Sequence, residues 1–481
     1  MNSTNPLQSI KKLNYRDLII FLIPFTIFML YLYIYNPGIM NYDSFNQIHQ
    51  IATNNFTNWH PFFHTFIEML CLKIYPNVIS IAILQIFVFS SLWMIICKYH
   101  RNDTLNNNSF ILQVIITSII SLIPINAIYS ITLWKDILFS YFLMFLCFLI
   151  KVMLDKQGKV DLKFILIMAL VMAFISQLRM NGFYVTIIVL IILTIYFFRK
   201  SHNKKICIAL PSLTIIFILL IASLNVAYDV EDNEKDFIFV KTSHMLADYD
   251  LHLDLADADR DKIHEMMDEK KLDKTYDIYF SDPIYRLSNE SVYKNDSEGY
   301  LKMALKYSLK NPERFLFYTF KSSDKVWDIT KDDDWRLPSY RVLSDGHMTD
   351  SSRERFFRIK NTTPQKSYEN VHSYNVGTGK FTLVNSIVYE AQENLILDTI
   401  LNSPALYMYL SIFLLIILQI VTKSKEGYLI YLPNLLNIIL VFGSIPDQDT
   451  RYLYPNLLVF YLLIIILISL IQSSKDKSAT N

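Results

Sequence analysis

The stretch GFYVTIIVLIILTIYFF-RKSHNKKI-CIALPSLTIIFILLIASLNVA, from Gly182 to Ala227, decides the fold. Two apolar runs flank a short basic segment, and neither run contains Asp, Glu, Lys or Arg. A hydrocarbon core of about 30 Å needs roughly 20 apolar residues in one helix, and each run approaches that length. The stretch therefore predicts two transmembrane helices that are joined by a basic loop.

Segments of the same kind recur along the 481 residues, and hydrophobic residues make up 52% of the chain. Charged residues lie mostly between these segments, because a charge at the centre of a membrane helix costs roughly 2.5–3.5 kcal/mol. The sequence therefore predicts an all-α polytopic membrane protein with about ten transmembrane helices. The predicted segments are 18–35, 78–97, 110–128, 137–153, 162–178, 182–198, 207–227, 406–421, 428–445 and 453–471.

Acidic residues are concentrated in one part of the chain, although the net charge is only +1. Of the 44 Asp and Glu residues, 33 lie in 229–398. This distribution predicts a separate acidic domain at 228–402, between a membrane domain at 1–227 with seven helices and three C-terminal helices at 403–481. Amphipathic runs predict that the acidic domain is mainly helical, with helices at 257–271, 299–309 and 312–322 and a surface loop at 330–375.

Lys and Arg residues flank the apolar segments asymmetrically, and cytoplasmic loops are the ones enriched in these residues. Four of them occupy short connections on the side that is poor in basic residues: Lys73, Lys135, Arg179 and Arg451. Both termini are therefore expected in the cytoplasm, with loop 36–77 and the acidic domain outside it. The apolar piece at 61–75 is short for a span and is expected to form a re-entrant or surface helix.

Polar residues collect at the predicted outer ends of the helices and form the candidate site. They are Asp43, His60, His64, Lys135, Asp136, Arg179, Asn181, Arg451 and Tyr452. Cations at one membrane depth can stabilise the charge of a lipid phosphate, and a separate carboxylate can take a proton from an incoming hydroxyl. The chain has no Walker loop and no GxGxxG motif. A nucleotide-sugar donor is not expected, because the candidate site faces away from the cytosol, and no nucleic-acid partner is expected.

The first outer loop contributes the predicted catalytic residue. Asp43 follows the turn pair Pro37-Gly38 and is predicted to be a general base. As an alternative, Asp43 could cap the following helix, since Asp is favoured at that position. His60 and His64 share one helix face if the segment around them is helical. They could bind a divalent cation, contact the phosphate or the acceptor, or serve the structure alone.

Each of the remaining candidates also has a structural alternative. Lys135 could extend to the membrane interface beside Trp134, and Asn181-Gly182 is a common turn sequence. Arg451 could form a salt bridge within the turn 446–455, which contains Asp447 and Asp449.

The residues named above resemble the membrane-embedded GT-C glycosyltransferases, and more narrowly a branch of bacterial polytopic proteins allied to them. The motifs that carry this resemblance are Asp43, His60-Pro61, Lys135-Asp136, Arg179 with Asn181-Gly182, and Arg451-Tyr452 with Pro455. The resemblance covers the first seven predicted helices and the C-terminal segment. It implies that Asp43 is the catalytic carboxylate, that Arg451 belongs to a phosphate clamp and that the donor is a polyprenyl-phosphate sugar.

The predicted reaction is an inverting transfer at the lipid bilayer to a cell-envelope glycan or protein acceptor. Lys135, Arg179 and Arg451 would hold the departing polyprenyl phosphate. No cofactor is indicated with certainty, and a divalent cation is left open.

Two other classes of function remain as alternatives. A transporter or flippase of lipid-linked intermediates would need polar residues along a route through the helices, for which Gln113, Gln419, Asn434 and Asn437 are available. A non-enzymatic membrane-anchored protein could bind a cationic ligand or partner through its acidic domain.

The predicted orientation can be tested with topology reporters. Fusions after Lys156, Lys204 and Lys425 should report the cytoplasm, whereas insertions near Asp296 or Ser352 should report the exterior, because basic residues are enriched in cytoplasmic loops. An acidic domain found in the cytosol would overturn both the orientation and the choice of a polyprenyl-phosphate donor.

Overall fold

The architecture comes from a computed structural model, which describes residues 13–40, 42–101, 107–200, 205–232, 236–329, 382–444, 446 and 449–479. These residues form helices and isolated bridges but no strands. A helix satisfies its backbone hydrogen bonds within one segment, which a chain in lipid requires. The first ten helices are α1 Tyr15–Ile34, α2 Tyr42–Thr53, α3 Phe62–Ile74, α4 Ile79–His100, α5 Asn107–Leu122, α6 Pro124–Ser130, α7 Lys135–Asp155, α8 Leu162–Leu178, α9 Met180–Lys200 and α10 Lys205–Ala227.

The second half of the chain begins with short helices and ends with long ones. The short helices are α11 Phe237–His252, α12 Asp257–Met266, α13 Glu269–Thr275, α14 Asp282–Leu287, α15 Glu290–Asn295, α16 Ser297–Lys310, α17 Pro312–Lys321 and α18 Asp324–Trp327. The last elements are α19 Thr382–Glu393, α20 Leu395–Asn402, α21 Pro404–Thr422, α22 Gly427–Gly443, a 3₁₀ turn Thr450–Leu453 and α23 Pro455–Ala479.

Seven of the described helices are long and apolar enough to cross a membrane, or eight if α5 and α6, which meet at a 71° bend, form one span. The seven are α1, α4, α7, α9, α10, α21 and α23 with its preceding 3₁₀ turn. Helices α8 and α22 are also apolar, but each has 17 residues. All ten apolar segments predicted from the sequence therefore lie on helices. The all-α multi-pass membrane character is confirmed, whereas ten crossings stay a prediction.

Helix α7 lies at the centre of the membrane helices, and 89% of its apolar window is buried. It packs against α4 through the rings of Phe89 and Tyr141, 5.1 Å apart, and against α8 through Phe142 and Phe174, 5.2 Å apart. Helix α10 is peripheral, with 22% of its window buried. Such an apolar exterior is favourable in lipid and costly in water.

Helices α11–α18 form what we call the inter-span domain, and α11–α16 have a hydrophobic core of their own, built around Phe239, Tyr249, Ile263 and Tyr300. The described part of this domain agrees with most of the predicted helices. The predicted segments 299–309 and 312–322 of this domain lie on α16 and α17. Outside this domain, the short apolar piece 61–75 lies on α3.

One helix of this domain was predicted as continuous and is broken. Segment 257–271 forms α12 and α13, because Met267 adopts an extended conformation and bridges to Ser288. The side chain of Asp268 then accepts a hydrogen bond from the backbone N–H of Lys270 and caps α13. The predicted loop 330–375 lies outside the described residues.

The inter-span domain packs on one end of the membrane helices. The N–H of Ser281 donates to the carbonyl of Pro446 at 2.9 Å, and the rings of Phe320 and Phe442 are 5.5 Å apart. The N–H of Asn58 donates to the carbonyl of Glu231, in the connection between α10 and α11, at 3.1 Å, and the rings of Trp59 and Tyr285 of α14 are 6.2 Å apart. These contacts place the domain over the loop between α2 and α3 and over the end of α22.

A buried ion cluster fixes the other end of the membrane helices. Asp17 is fully buried at the start of α1, and its carboxylate pairs with Lys98, at 2.8 Å, and with Arg101. Lys98 belongs to α4, which packs along α1. A buried carboxylate between two cations is neutralised and holds the ends of these helices together.

Candidate active site

Two loop segments pair and bring Asp43 to the start of α7. The backbone N–H of Ile39 donates to the carbonyl of Ile131 at 2.9 Å, and the N–H of Leu133 donates to the carbonyl of Ile39, also at 2.9 Å. Ser44 donates its hydroxyl to the carbonyl of Leu133 at 2.6 Å. Asp43 lies in the first turn of α2 rather than before the helix, so its carboxylate is held beside the first turn of α7.

Arg451 is the cation at the centre of the site. Its Nη1 lies 2.7 Å from Oδ2 of Asp43, and its Nε lies 3.0 Å from Oδ2 of Asp449. The guanidinium also lies over the ring of Trp134, 4.9 Å from the centroid. Arg451 thus forms a salt bridge within its own turn, as the structural alternative supposed, and in addition pairs with Asp43. Asp447 lies outside the described residues.

Arg179 occupies the single extended residue between α8 and α9. Its Nε lies 3.0 Å from Oδ1 of Asp136, which is fully buried, and its guanidinium lies 4.6 Å from the centre of the Tyr452 ring. The second carboxylate oxygen of Asp136 lies 3.8 Å from Nε of Arg451. One buried carboxylate therefore holds two guanidinium groups near each other.

His60 and Lys135 complete the polar group. Nζ of Lys135 lies 3.1 Å from Nδ1 of His60, and Nε2 of His60 lies 3.7 Å from Oδ1 of Asp43. Burial and the ammonium of Lys135 lower the pKa of His60 to about 3, so its ring is neutral at neutral pH and Nδ1 can accept a hydrogen bond from Lys135. Lys135 therefore has a polar partner and lies against the site rather than along the lipid surface.

Asp43 is ionised in this arrangement. Burial alone would raise the pKa of its carboxyl, but the charges of Arg451 and Lys135 hold that pKa well below its usual range. A carboxylate with so low a pKa is a weak base.

These side chains line a cavity of about 380 Å³, which we call the polar cavity. Seven of the nine residues predicted for the site line it: Asp43, His60, Lys135, Arg179, Asn181, Arg451 and Tyr452. The buried Asp136 is not among its lining residues and contacts Arg179, which is. The structure thus brings together residues from four separate parts of the chain.

His64 is positioned differently from His60. Its ring is fully buried, with Nδ1 3.3 Å from Oε1 of Gln47 and 3.6 Å from Oε1 of Glu68. A shared helix face required both imidazoles to lie on one helix, and this condition is not met, because α3 begins at Phe62 and His60 precedes it. His64 therefore packs inside the fold, whereas His60 lines the polar cavity.

A groove of about 550 Å³ with both polar and apolar lining residues, the lateral groove, adjoins the polar cavity. The two share Arg179 and Asn181 as lining residues. The rest of the lateral groove is lined largely by α3, α9 and α22, including Phe183, Tyr184 and Ile439. Tyr184 is 56% and Ile439 53% exposed, so the groove lies at the outer surface of the membrane helices.

The polar cavity has further lining residues that the sequence did not single out. Asp282, Tyr285 and Arg286 belong to α14 of the inter-span domain, and Trp59 precedes His60. The rings of Trp59 and Tyr285 are 6.2 Å apart. Only the tertiary placement of the inter-span domain brings α14 here, and no spacing in the sequence signals it.

Among the described residues, no group of three or more His, Cys, Asp and Glu side chains is arranged to hold a metal ion. The described cysteines are free thiols. The carboxylates that contact Arg451 or Arg179 are those of Asp43, Asp449 and Asp136, and each is ion-paired with a guanidinium group.

The chain was compared with known proteins, and no family model, no curated protein and no solved structure matches it. The class of protein is therefore defined by the fold alone: it is an all-α, multi-pass membrane protein with a charged cavity at one end of its apolar helices.

The loop that positions Asp43 makes a testable demand on Gly38. This residue has φ +118°, and an added Cβ would lie 2.9 Å from the carbonyl oxygen of Ile131. Gly38→Ala should therefore destabilise the protein by about 1–3 kcal/mol, measured as a lower midpoint of thermal unfolding in detergent. Gly427→Ala is the matched control, since nothing lies within 4 Å of the corresponding Cβ. Equal midpoints for the two variants would contradict the account of this loop.

Proposed function

We propose that this chain is a GT-C-like glycosyltransferase, which moves a sugar from a polyprenyl-phosphate donor to a cell-envelope glycan or protein acceptor. In this proposal it is a multi-pass protein of the cell membrane. Both termini are cytoplasmic, and the polar cavity and the inter-span domain are extracytoplasmic.

The observation that carries the proposal is the convergence of Asp43, Lys135, Arg179 and Arg451 on one cavity. The transfer requires several cations and a separate carboxylate, and this cavity contains three cations and Asp43. The cations stabilise the phosphate that leaves, and the carboxylate accepts the proton of the attacking hydroxyl.

The lateral groove supports a lipid-linked donor. A polyprenyl chain is apolar and would lie along Phe183, Tyr184 and Ile439, at the membrane surface of α9 and α22. Its phosphate would then reach Arg179, which lines both the groove and the polar cavity. In this arrangement the phosphate of the donor reaches Arg179 while its polyprenyl chain stays in the bilayer.

The proposed step is an inverting displacement. The acceptor oxygen attacks the anomeric carbon of the sugar, and the bond between that carbon and the phosphate oxygen breaks. The electron pair of the broken bond leaves with the polyprenyl phosphate, whose charge Lys135, Arg179 and Arg451 stabilise. The proton of the acceptor hydroxyl passes to Asp43, so that atoms and charges balance.

The salt bridge between Asp43 and Arg451 gives this step a trigger. The guanidinium holds the pKa of Asp43 below its usual range while the two are paired. A donor phosphate competes for the same guanidinium, because Arg binds phosphate oxygens in a bidentate manner. The pKa of Asp43 rises when that contact weakens, and the carboxylate becomes a better base once the donor is bound.

The acceptor would approach from the inter-span domain. Asp282, Tyr285 and Arg286 line the cavity on that side, opposite the membrane helices. Trp59 and Tyr285 present aromatic faces of the kind that pack against sugar rings. A divalent cation at the donor phosphate stays open in this proposal.

A transporter is less well supported by the polar residues of the helices. Gln113 donates to the carbonyl of Cys97, Asn434 donates to Asn456, and Asn437 donates to the carbonyl of Tyr452. Gln113 is 3% exposed, and Asn434 and Asn437 are fully buried. None of the three lines the polar cavity or the lateral groove, whereas a transport route needs polar groups that face a passage.

The substitution Asp43→Asn tests the general base. It keeps the shape of the side chain but removes the proton acceptor, and general base catalysis contributes about 10²–10⁴-fold. Turnover of a polyprenyl-phosphate sugar should fall by that order, while the donor binds at least as tightly as it does to the parent protein, because an amide competes less with the phosphate for Arg451.

Asp449→Asn is the matched control for this prediction. Asp449 also contacts Arg451, and its side chain caps the 3₁₀ turn, a role that Asn fills about as well. Its turnover should change by less than about tenfold, because only one interaction of the guanidinium is weakened. Equal losses in the two variants would mean that Asp43 acts only by holding Arg451, and parental turnover of Asp43→Asn would end the catalytic assignment.

A further inference from the structure

A second groove, which is mostly apolar, lies on the inter-span domain and meets the lateral groove at Phe237, Gly443 and Ser444. It has a volume of about 640 Å³ and lies between α11 on one side and α16 and α17 on the other. We call it the domain groove. Its apolar lining includes Ile238, Met245, Leu301, Leu305 and Leu309.

The wall formed by α16 is unusually apolar for the surface of an acidic domain. Leu301, Leu305 and Leu309 follow one another at intervals of four residues and therefore share one face of the helix. They are 41%, 59% and 73% exposed, and Ile238 across the groove is 61% exposed. Exposed leucines in a row mark a surface that binds an apolar partner.

The domain groove contains one cation, Lys241. Its Nζ donates to the carbonyl of Ser444 at 2.9 Å and lies 5.1 Å from the centre of the Tyr318 ring. Within the described part of the chain, no Asp or Glu forms an ion pair with it. Burial lowers the pKa of Lys241 to about 8, so its charge is poorly compensated. An anion at this position would restore the balance of charge.

The groove adjoins both the membrane helices and the polar cavity. Gly443 and Ser444 at the end of α22 form one of its ends, and Phe320 on α17 contacts Phe442 of the same helix. Phe237 and Ser444 line the polar cavity as well. A molecule in the domain groove can therefore come from the bilayer and place its polar end beside the polar cavity.

We infer that the domain groove binds an anionic phospholipid from the adjacent leaflet, with an acyl chain along Leu301, Leu305 and Leu309 and the headgroup phosphate on Lys241. The length of the leucine row suits a chain rather than a compact ligand. Lys241, which is the one cation in the described lining of the groove, can pair with one phosphate group. Such a lipid would fix the inter-span domain on the bilayer and form a wall beside the polar cavity. This inference does not depend on the proposed transferase activity.

Lipid binding to the purified full-length protein tests the inference. Phosphatidylglycerol would be titrated into the protein in mild detergent, with phosphatidylcholine and soluble glycerol phosphate in parallel, and the bound lipid would be counted by native mass spectrometry. We expect one phosphatidylglycerol to bind more tightly than phosphatidylcholine and soluble glycerol phosphate not to compete. Lys241→Gln should weaken phosphatidylglycerol at least roughly tenfold, because a charge-assisted hydrogen bond is about twice as strong as a neutral one.

Two further variants distinguish lipid in the domain groove from lipid bound elsewhere on the protein. Leu305→Glu places a charge in the apolar wall at an exposed position and should abolish the tight phosphatidylglycerol site with little effect on folding. Lys302→Gln, on the same helix but ion-paired with Glu298 at 2.6 Å and outside the groove lining, should bind lipid like the parent protein. Tight binding that survives Lys241→Gln, or a dimer of the parent protein that dissociates in Leu305→Glu, would overturn the inference. A protein inactive as a transferase but still selective for phosphatidylglycerol would leave it standing.

Discussion

The site depends on the pairing of two largely buried guanidinium groups with one buried and two partly buried carboxylates. Arg451 and Arg179 have side chains that are 10% and 11% exposed, and a charge removed from water must be paired or neutralised. Asp43, Asp136 and Asp449 supply the pairs. These five residues come from the first turns of α2 and α7, the junction of α8 and α9, and the 3₁₀ turn, so their pairing decides how these four segments meet.

The helices around this network bring its charged residues to one level. Central helix α7 presents Lys135 and Asp136 in its first turn, and the paired backbone segments at Ile39 and Ile131 bring Asp43 to the same level. The apolar faces of the surrounding helices would tolerate small sliding movements, because dispersion contacts have no fixed direction. The ion pairs do have direction and therefore set the register of these helices at the cavity.

The sequence was sufficient for the apolar helices and for most of the residues of the candidate site, but not for the ion pairs that these residues form. Apolar runs predict helices directly, and charged residues at helix ends on one predicted side can be assigned to one membrane depth. That reasoning placed Asp43 and Arg451 at the same level although 408 positions separate them in sequence. It could not predict that they form a salt bridge, which depends on how α2 and the 3₁₀ turn pack. His60 and His64 show the limit at short range, since their divergence follows from the start of α3 at Phe62. The contribution of α14 to the cavity depends wholly on how a second hydrophobic core docks on the first.

The central claim is that the charged cavity releases a polyprenyl phosphate from a lipid-linked sugar. The most direct measurement uses the purified full-length protein in liposomes with a panel of radiolabelled polyprenyl-phosphate sugars and follows both the label and the free polyprenyl phosphate. The protein should consume at least one donor and should release one polyprenyl phosphate for each sugar that it transfers. Intact donors that only cross from one leaflet to the other, with no polyprenyl phosphate released, would contradict it.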